Sequence, residues 1–301
     1  MRIIITGGSG LLGSRIAELA LARGADVDGD VGALEVYCGY AHNAPPFGKA
    51  VRLDLLDPSG LTDTIKKLEP DIVIHSAALT DVDRCEREKE LAFRMNVEGT
   101  RAVAGAAEWA GSHLVYISTD YVFDGERGMY REDDPTNPVS YYGCSKLLGE
   151  QFCPSVARTC VIYGSRPASG KVNFALWLIE SLKAGRQVRV VTDQFITPTL
   201  NTNLAEMLLE AAERRLDGIY HLAGADRISR YDYACSLARA FDLDESLILP
   251  SCMDEMKWNA KRPKDSSLDS SKAARTLLHK PLPLTEALRR LKDEMRLEMK
   301  R

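Results

Sequence analysis

Short, almost wholly apolar runs alternate with segments whose apolar residues recur three and four positions apart through the first half of this 301-residue chain. Residues 3–6, 34–40, 71–77, 114–118 and 157–163 read as strands. Between them lie helical patterns at 11–22 (Leu12, Ile16 and Leu19 on one face), around Leu61, Ile65 and Leu68, at 92–110 and at 141–151. Asp57 and Pro58 supply an N-cap and a first-turn proline for the second of these helices. A strand that is apolar along its whole length must be covered on both faces, and a helix between successive strands demands parallel pairing. The expected class is α/β, with a doubly wound parallel sheet.

The second half is less regular. Residues 172–184, 202–214 and 231–241 read as helices and 218–223 as a strand; over 284–301, Leu284, Leu288, Leu291 and Met295 mark one face of an amphipathic helix that packs on the body. No repeat or low-complexity linker separates two halves, so two units are expected to interleave. Residues 1–164 and about 190–224 form the sheet unit, and about 165–189 and 225–301 a smaller C-terminal one.

The formal charge is −4 and acidic residues interrupt the basic ones, which gives no footprint for nucleic acid or an anionic membrane. Seven cysteines are scattered without a CxxC pair, which fits neither a disulfide framework nor a zinc site. No carboxylate cluster has metal-ligand character, and no metal is expected. The chain enters a strand at once, without a signal-type apolar region, and no apolar stretch reaches the ~20 residues of a spanning helix. A cytoplasmic location is the expectation.

Directly after the first strand comes Thr6-Gly7-Gly8-Ser9-Gly10-Leu11-Leu12-Gly13, which opens the first helix. Glycines let a backbone turn tightly and approach a pyrophosphate, whose charge free N–H groups and a helix N-terminus stabilise. Gly7, Ser9, Gly10, Leu11, Leu12 and Gly13 are therefore candidate cofactor contacts in a Rossmann-type unit. An acidic residue at the end of the second strand would grip the ribose of NAD, but the strand 34–40 runs into Gly39-Tyr40-Ala41-His42. That favours NADPH, with His42 and Arg52 as candidates for its extra phosphate; NADH remains open through Asp28 or Asp30 if the strand is instead 25–31.

Tyr142 and Lys146 stand one helical turn apart in Tyr142-Gly143-Cys144-Ser145-Lys146. A free tyrosine titrates near ~10 and needs a cation to serve in proton transfer at neutral pH. Lys146 is that cation and can also meet a nicotinamide ribose. Ser118 and Thr119 place hydroxyls at the end of an earlier strand. His75, in an apolar strand, reads as a core histidine.

Together these residues resemble the extended short-chain dehydrogenase/reductase family, with its T-G-x-x-G-x-x-G turn, its Ser/Thr after a later strand and its Y-x-x-x-K. Three runs are similar to the dTDP-4-dehydrorhamnose reductase subgroup: 118–125 (S-T-D-Y-V-F-D-G), 77–83 (A-A-L-T-D-V-D) and 262–269 (R-P-K-D-S-S-L-D). The resemblance implies Thr119 as the hydroxyl orienting the substrate carbonyl, Tyr142 as acid and Lys146 as its activator. It places Ala77 and Ala78 by the nicotinamide ribose and Asp54 and Leu55 by the adenine. Thr80, Asp120 and Tyr121 would line the sugar side of the cleft, Arg262 would meet the substrate phosphates, and Asn173 and Phe174 would border the same cleft. Many bacterial members carry Trp where this chain has Val161, and some are associated with magnesium.

The implied activity is NADPH-dependent reduction of a 4-keto nucleotide sugar, dTDP-4-dehydro-L-rhamnose first. The alternatives are another nucleotide-sugar reductase or epimerase, which would retain its NAD, and a non-catalytic NADP-binding regulatory subunit like the β subunits of methionine adenosyltransferase. A homodimer is an admissible assembly. The cofactor reading has a direct check. A carboxylate introduced by Ala41→Asp repels a 2′-phosphate, so the substitution should raise the Michaelis constant for NADPH and swing preference to NADH in assays with both cofactors. A wild-type preference for NADH would contradict it.

Overall fold

The computed structural model describes residues 1–25, 34–168 and 172–298. One parallel seven-stranded sheet organises the N-terminal unit: β1 (Arg2–Thr6), β2 (Glu35–Tyr40), β3 (Lys49–Arg52), β4 (Ile72–His75), β5 (His113–Thr119), β6 (Ser155–Thr159) and β7 (Gly218–His221). Their spatial order is β7-β6-β5-β4-β1-β2-β3. The chain winds outward from β1 through β2 and β3, then returns to β4 and winds the other way. The switch falls between β1 and β4, whose register sets Ile3 against Ile72 and Thr6 against His75. Diverging connections leave a crevice at the carboxyl ends of those strands.

Successive residues of β1 explain its unbroken apolar run. Ile3 and Ile5 pack with Leu12, Ile16 and Leu208 on one face, while Ile4 packs with Leu61, Ile65 and Val103 on the other. The Gly13–Ala25 and Asn201–Glu213 helices cover the first face, and the Pro58–Leu68 and Gly99–Trp109 helices the second. Asp57 caps the Pro58–Leu68 helix by accepting from Gly60 N at 3.1 Å, as its sequence position predicts. The strand at 34–40 forms in place, whereas Asp28 and Asp30 lie outside the described residues.

Two elements depart from the sequence expectation. The helix expected over 92–110 is built from Lys89–Phe93, a π-helical turn Arg94–Glu98, and Gly99–Trp109. The wide turn re-aims Asn96, whose amide accepts from Leu79 N at 2.8 Å and donates to Leu79 O and Ser145 Oγ. The strand expected over 157–163 is split into β6 and Ile162–Tyr163, because Val161 lies at φ +41°. A β-branched residue in the left-handed region breaks the extended run and turns the chain toward the second unit.

That second unit has its own core of Tyr163, Leu178, Tyr233, Leu237 and Leu288. It gathers the Phe174–Lys183, Arg230–Ala240 and Leu284–Glu298 helices, with Val188–Val191 paired in parallel to Ile248–Ser251. The stretch 225–301 is not confined there. Its Ser271–Thr276 helix returns to the sheet, where Ala273 and Leu277 join the core around Ile16 and Leu208. Among the described residues, no helix is long and apolar enough to cross a membrane.

Beneath the Tyr141–Glu150 helix lies an ion pair with almost no solvent. Arg158 of β6 donates to Glu150 through Nε at 2.9 Å and Nη2 at 2.7 Å, and Ser118 Oγ donates to the same carboxylate at 2.5 Å. The two side chains are 3% and 7% exposed. Removing one partner strands the other charge in a low dielectric. Arg158→Met should therefore lower unfolding free energy by about 3–5 kcal/mol, and adding Glu150→Leu should restore most of it. Denaturant titration of both variants decides, and equal losses would count against the pairing.

Candidate active site

The glycine turn is pressed into the crevice from both sides. Gly8 N donates to Gly39 O at 2.8 Å and Gly10 N to Gly7 O at 2.9 Å. A Cβ on Gly8 would sit 2.6 Å from Cys38 Cβ, and one on Gly13 would sit 2.2 Å from Gly7 O. Ser9, Gly10 and Leu11 remain partly exposed on the turn, whereas Leu12 points into the core. Across the crevice, Thr6 Oγ1 accepts from Ala77 N at 3.1 Å and meets His75 Nδ1 at 2.7 Å. Thr100 Oγ1 occupies the other His75 nitrogen at 3.1 Å, and burial drives the imidazole down to about 3. His75 is thus a neutral core residue that fixes the ends of β1 and β4.

The remaining cofactor candidates divide by exposure. Ala77 and Ala78 are partly exposed at the end of β4. Asp54 is half-buried and holds Leu56 N at 2.9 Å, while Leu55 is buried against Val103 and the close-packed Gly99. His42 is exposed beyond the end of β2, and β3 sets the exposed Arg52 beside Tyr40. These residues surround an open sheet edge bounded by backbone that only glycine allows, which suits a dinucleotide.

Tyr142 meets Thr119 at the end of β5, and Lys146 lies one helical turn further, its Nζ over the ring of Tyr116. Ser140 Oγ caps the Tyr141–Glu150 helix at Gly143 N, and a Cβ on Gly143 would lie 2.1 Å from Tyr121 O. That contact presses the first helical turn onto the Asp120–Val122 turn following β5. The Thr119 hydroxyl hydrogen-bonds the Tyr142 phenol, yet burial outweighs it and pushes the phenol above its ordinary range. Lys146 is 3% exposed, its Nζ lies 4.1 Å from the Tyr116 ring centre, and burial lowers the amine to about 7. No carboxylate among the described residues lies within ion-pair distance of Nζ.

A cleft of about 360 Å³ is lined in part by Tyr121, whose ring meets that of Tyr142 edge-on with centroids 5.8 Å apart. Tyr121 and Val82 form one wall, and Phe174, Trp177, Arg189, Arg230 and Arg262 stand on others. Arg262 is gripped by Asp83, Nη1 to Oδ1 at 3.0 Å and Nη2 to Oδ2 at 2.9 Å, and stacks 5.1 Å from the Trp258 ring centre. Its fork therefore spans the cleft rather than standing free. Arg230 lies 5.7 Å over Phe174. Thr80 is exposed beyond β4. Asn173 faces its own helix, accepting from Leu176 N and donating to Gly164 O at 3.0 Å. Asp120 is buried behind Thr119, with both oxygens engaged.

Sequence reasoning passed over Trp177, Arg189, Arg230 and Gln194 in the cleft, and Asn96 behind it. Trp177 sits in an apolar helix and reads as packing, though it is 40% exposed. No local pattern marks the arginines. Asn96 lies among Arg94, Met95, Val97 and Glu98, so nothing in the sequence marked it for burial. Among the described residues, no group of three or more His, Cys, Asp or Glu is placed to hold a metal ion.

Residues 1–297 match the family model described as the RmlD substrate binding domain. A solved hypothetical dTDP-4-dehydrorhamnose reductase from Sulfolobus tokodaii is 39% identical, with a TM-score of 0.82 over 94% of this chain and 98% of that one. A dTDP-4-dehydrorhamnose reductase from Bacillus anthracis, solved in complex with NADP, is 30% identical, with a TM-score of 0.83 over 97% and 99% of the two chains. Methionine adenosyltransferase 2 subunit beta of Danio rerio is 31% identical over 90% of this chain and 83% of its own length.

The crowding at the glycine turn can be tested without turnover. Gly13→Ala forces a methyl group onto Gly7 O, so the NADPH dissociation constant should rise about tenfold or more, a loss of roughly 1.4 kcal/mol. Gly105→Ala, in the Gly99–Trp109 helix with nothing within 4 Å of the added carbon, should leave it unchanged. Fluorescence titration compares the two.

Proposed function

Since the chain belongs to the RmlD substrate-binding family of extended short-chain dehydrogenase/reductases, we propose that it reduces a 4-keto nucleotide sugar with NADPH, converting dTDP-4-dehydro-L-rhamnose to dTDP-L-rhamnose. The observation that carries this reading is the hydrogen bond between Thr119 and Tyr142, with the buried Lys146 one helical turn along, near a cleft lined by Arg189, Arg230 and Arg262. An acid beside a buried amine suits carbonyl reduction, and guanidinium groups suit a diphosphate. The B. anthracis relative, solved with NADP, supports the cofactor.

A bound reduced nicotinamide supplies the hydride. The protein's part is the proton and the orientation. Burial keeps the Tyr142 phenol protonated across the neutral range, so it is loaded as an acid. As it gives its proton to the sugar oxygen, the developing phenolate gains from the Lys146 ammonium one turn along. The Gly7–Gly13 turn, with Ser9, Gly10 and Leu11 on its open side, would hold the pyrophosphate, and Lys146 the ribose hydroxyls. Phe174 and Tyr121 would enclose the sugar, with Arg230 and Arg189 facing the substrate phosphates.

The likeness to a methionine adenosyltransferase β subunit favours a second reading, a nucleotide-binding regulatory subunit. NADPH oxidation across a panel of 4-keto nucleotide sugars separates the two. Turnover supports the reductase, and tight NADPH binding with no turnover on any of them supports the subunit. Tightly held NAD in the purified protein would instead indicate an epimerase.

With a substrate in hand, Tyr142→Phe should lower kcat by ~10²–10⁴ while leaving NADPH affinity within about twofold. For the unmodified enzyme, kcat/KM should be level in mild acid and fall above about pH 7, as the free enzyme's Lys146 loses its charge and Tyr142 keeps its proton. A rate that climbs through that range would contradict the assignment.

A further inference from the structure

The three arginines of the cleft differ in what holds them. Asp83 takes the fork of Arg262, and Glu255 pairs with Arg189. Each of those charges is met by a carboxylate before any ligand arrives. Arg230 is held by a neutral group instead: its Nε donates to Gln194 Oε1 at 2.5 Å. Among the described residues, no carboxylate comes within ion-pair distance of Arg230. Asp120, whose oxygens already accept from Thr119, Ser266 and Cys160, acts on it only through space.

The pairing follows from the backbone. Phe195–Ile196 runs antiparallel to Ile228–Ser229 with Ser229 opposite Phe195, so the next positions outward are Gln194 and Arg230. Arg230 N donates to Gln194 O at 2.9 Å, which closes the ladder there. Residues opposed in this way project from the same face. Gln194 is 1% exposed, and its Nε2 donates to Pro263 O at 3.2 Å, which leaves Oε1 for Arg230. Turned over, the amide would set nitrogen against nitrogen and oxygen against oxygen. The guanidinium also lies 5.7 Å from the Phe174 ring centre. Fixed through Nε and against a ring, it keeps its terminal nitrogens for a phosphate.

We propose that Gln194 is a positioning residue that holds Arg230 without cancelling its charge, and that Arg230 is thereby the anchor for the substrate's diphosphate. A glutamate of the same length would keep the bond to Nε and neutralise the guanidinium. The neutral amide leaves the positive charge for a ligand to meet. The assignment rests on the nucleotide-sugar reading of the same cleft.

Equilibrium titration with dTDP and with UDP tests it without turnover, and both should respond alike because Arg230 meets the diphosphate and not the base. Gln194→Glu should raise either dissociation constant about tenfold or more. Gln194→Met, which loses the acceptor without adding charge, should raise it about threefold to tenfold. In an Arg230→Gln background, Gln194→Met should cost less than about twofold, because the group it positions is gone. NADPH, at the glycine turn, should keep its affinity in both single variants within about twofold. A full additional loss in the Arg230→Gln background, an unchanged constant in Gln194→Glu or a parallel loss of NADPH affinity overturns the proposal. So does wild-type protein that binds neither dTDP nor UDP.

With a substrate, Gln194→Glu should raise KM for the sugar about tenfold or more and leave kcat within about threefold, since the anchor is remote from the proton transfer. A loss confined to kcat overturns the proposal. Wild-type protein that shows the dTDP pattern yet reduces no 4-keto sugar would overturn the reductase reading alone.

Discussion

Backbone-to-backbone contact at the sheet's carboxyl edge is the constraint on which the remaining architecture rests. The Gly7–Gly13 turn can occupy the crevice only because no side chain separates it from Cys38, and Thr6 can hold Ala77 only because the turn stays low. From that edge outward, each strand end supplies one part of the site. The ends of β1 and β4 flank the glycine turn, β5 delivers Thr119, and the helix leading to β6 delivers Tyr142 and Lys146. Polar side chains within the sheet serve the same alignment. His75 is held neutral between two threonines, and Glu150 and Arg158 neutralise each other beneath the catalytic helix. Each is bonded to a partner on a different element, which ties those elements together.

The fold was legible because its signals are local and repeated. Apolar runs buried on both faces, a capping aspartate before a proline and glycines between a strand and a helix mean much the same in any context. Boundaries were lost where a tertiary contact overrode the local pattern. Residues 92–110 carry a continuous helical signature, yet Asn96 widens one turn to reach Leu79 and Ser145. Residues 157–163 look like one strand, yet Val161 adopts a left-handed conformation. β3 has only the four residues Lys49–Arg52, with little apolar character, and gave no signal above its surroundings.

The site was legible in the same uneven way. Tyr142, Lys146 and the glycines announce themselves by spacing. Arg230 and Gln194 reach the cleft from elements that meet only after folding, and nothing in their neighbours marks them. Arg262 shows the limit most clearly. Its place in a motif suggested a guanidinium open to phosphates, whereas its fork is taken by Asp83 of the Val82–Arg87 helix. A sequence pattern identifies the residue without showing which partner holds it.

The return of the Ser271–Thr276 helix to the sheet bears on how the chain comes to be folded at all. β6 gains its outer neighbour only when Gly218–His221 is made, and the core beneath the sheet takes in Ala273 and Leu277 later still. During synthesis, most of the protein must leave the ribosome while the edge of β6 and an apolar face stand uncovered. Such species are prone to pair with one another, and contacts between distant parts of a chain form slowly. The interleaving that brings Ser266 to Asp120 in the finished molecule thus leaves the nascent chain open to mispairing until the last helices emerge.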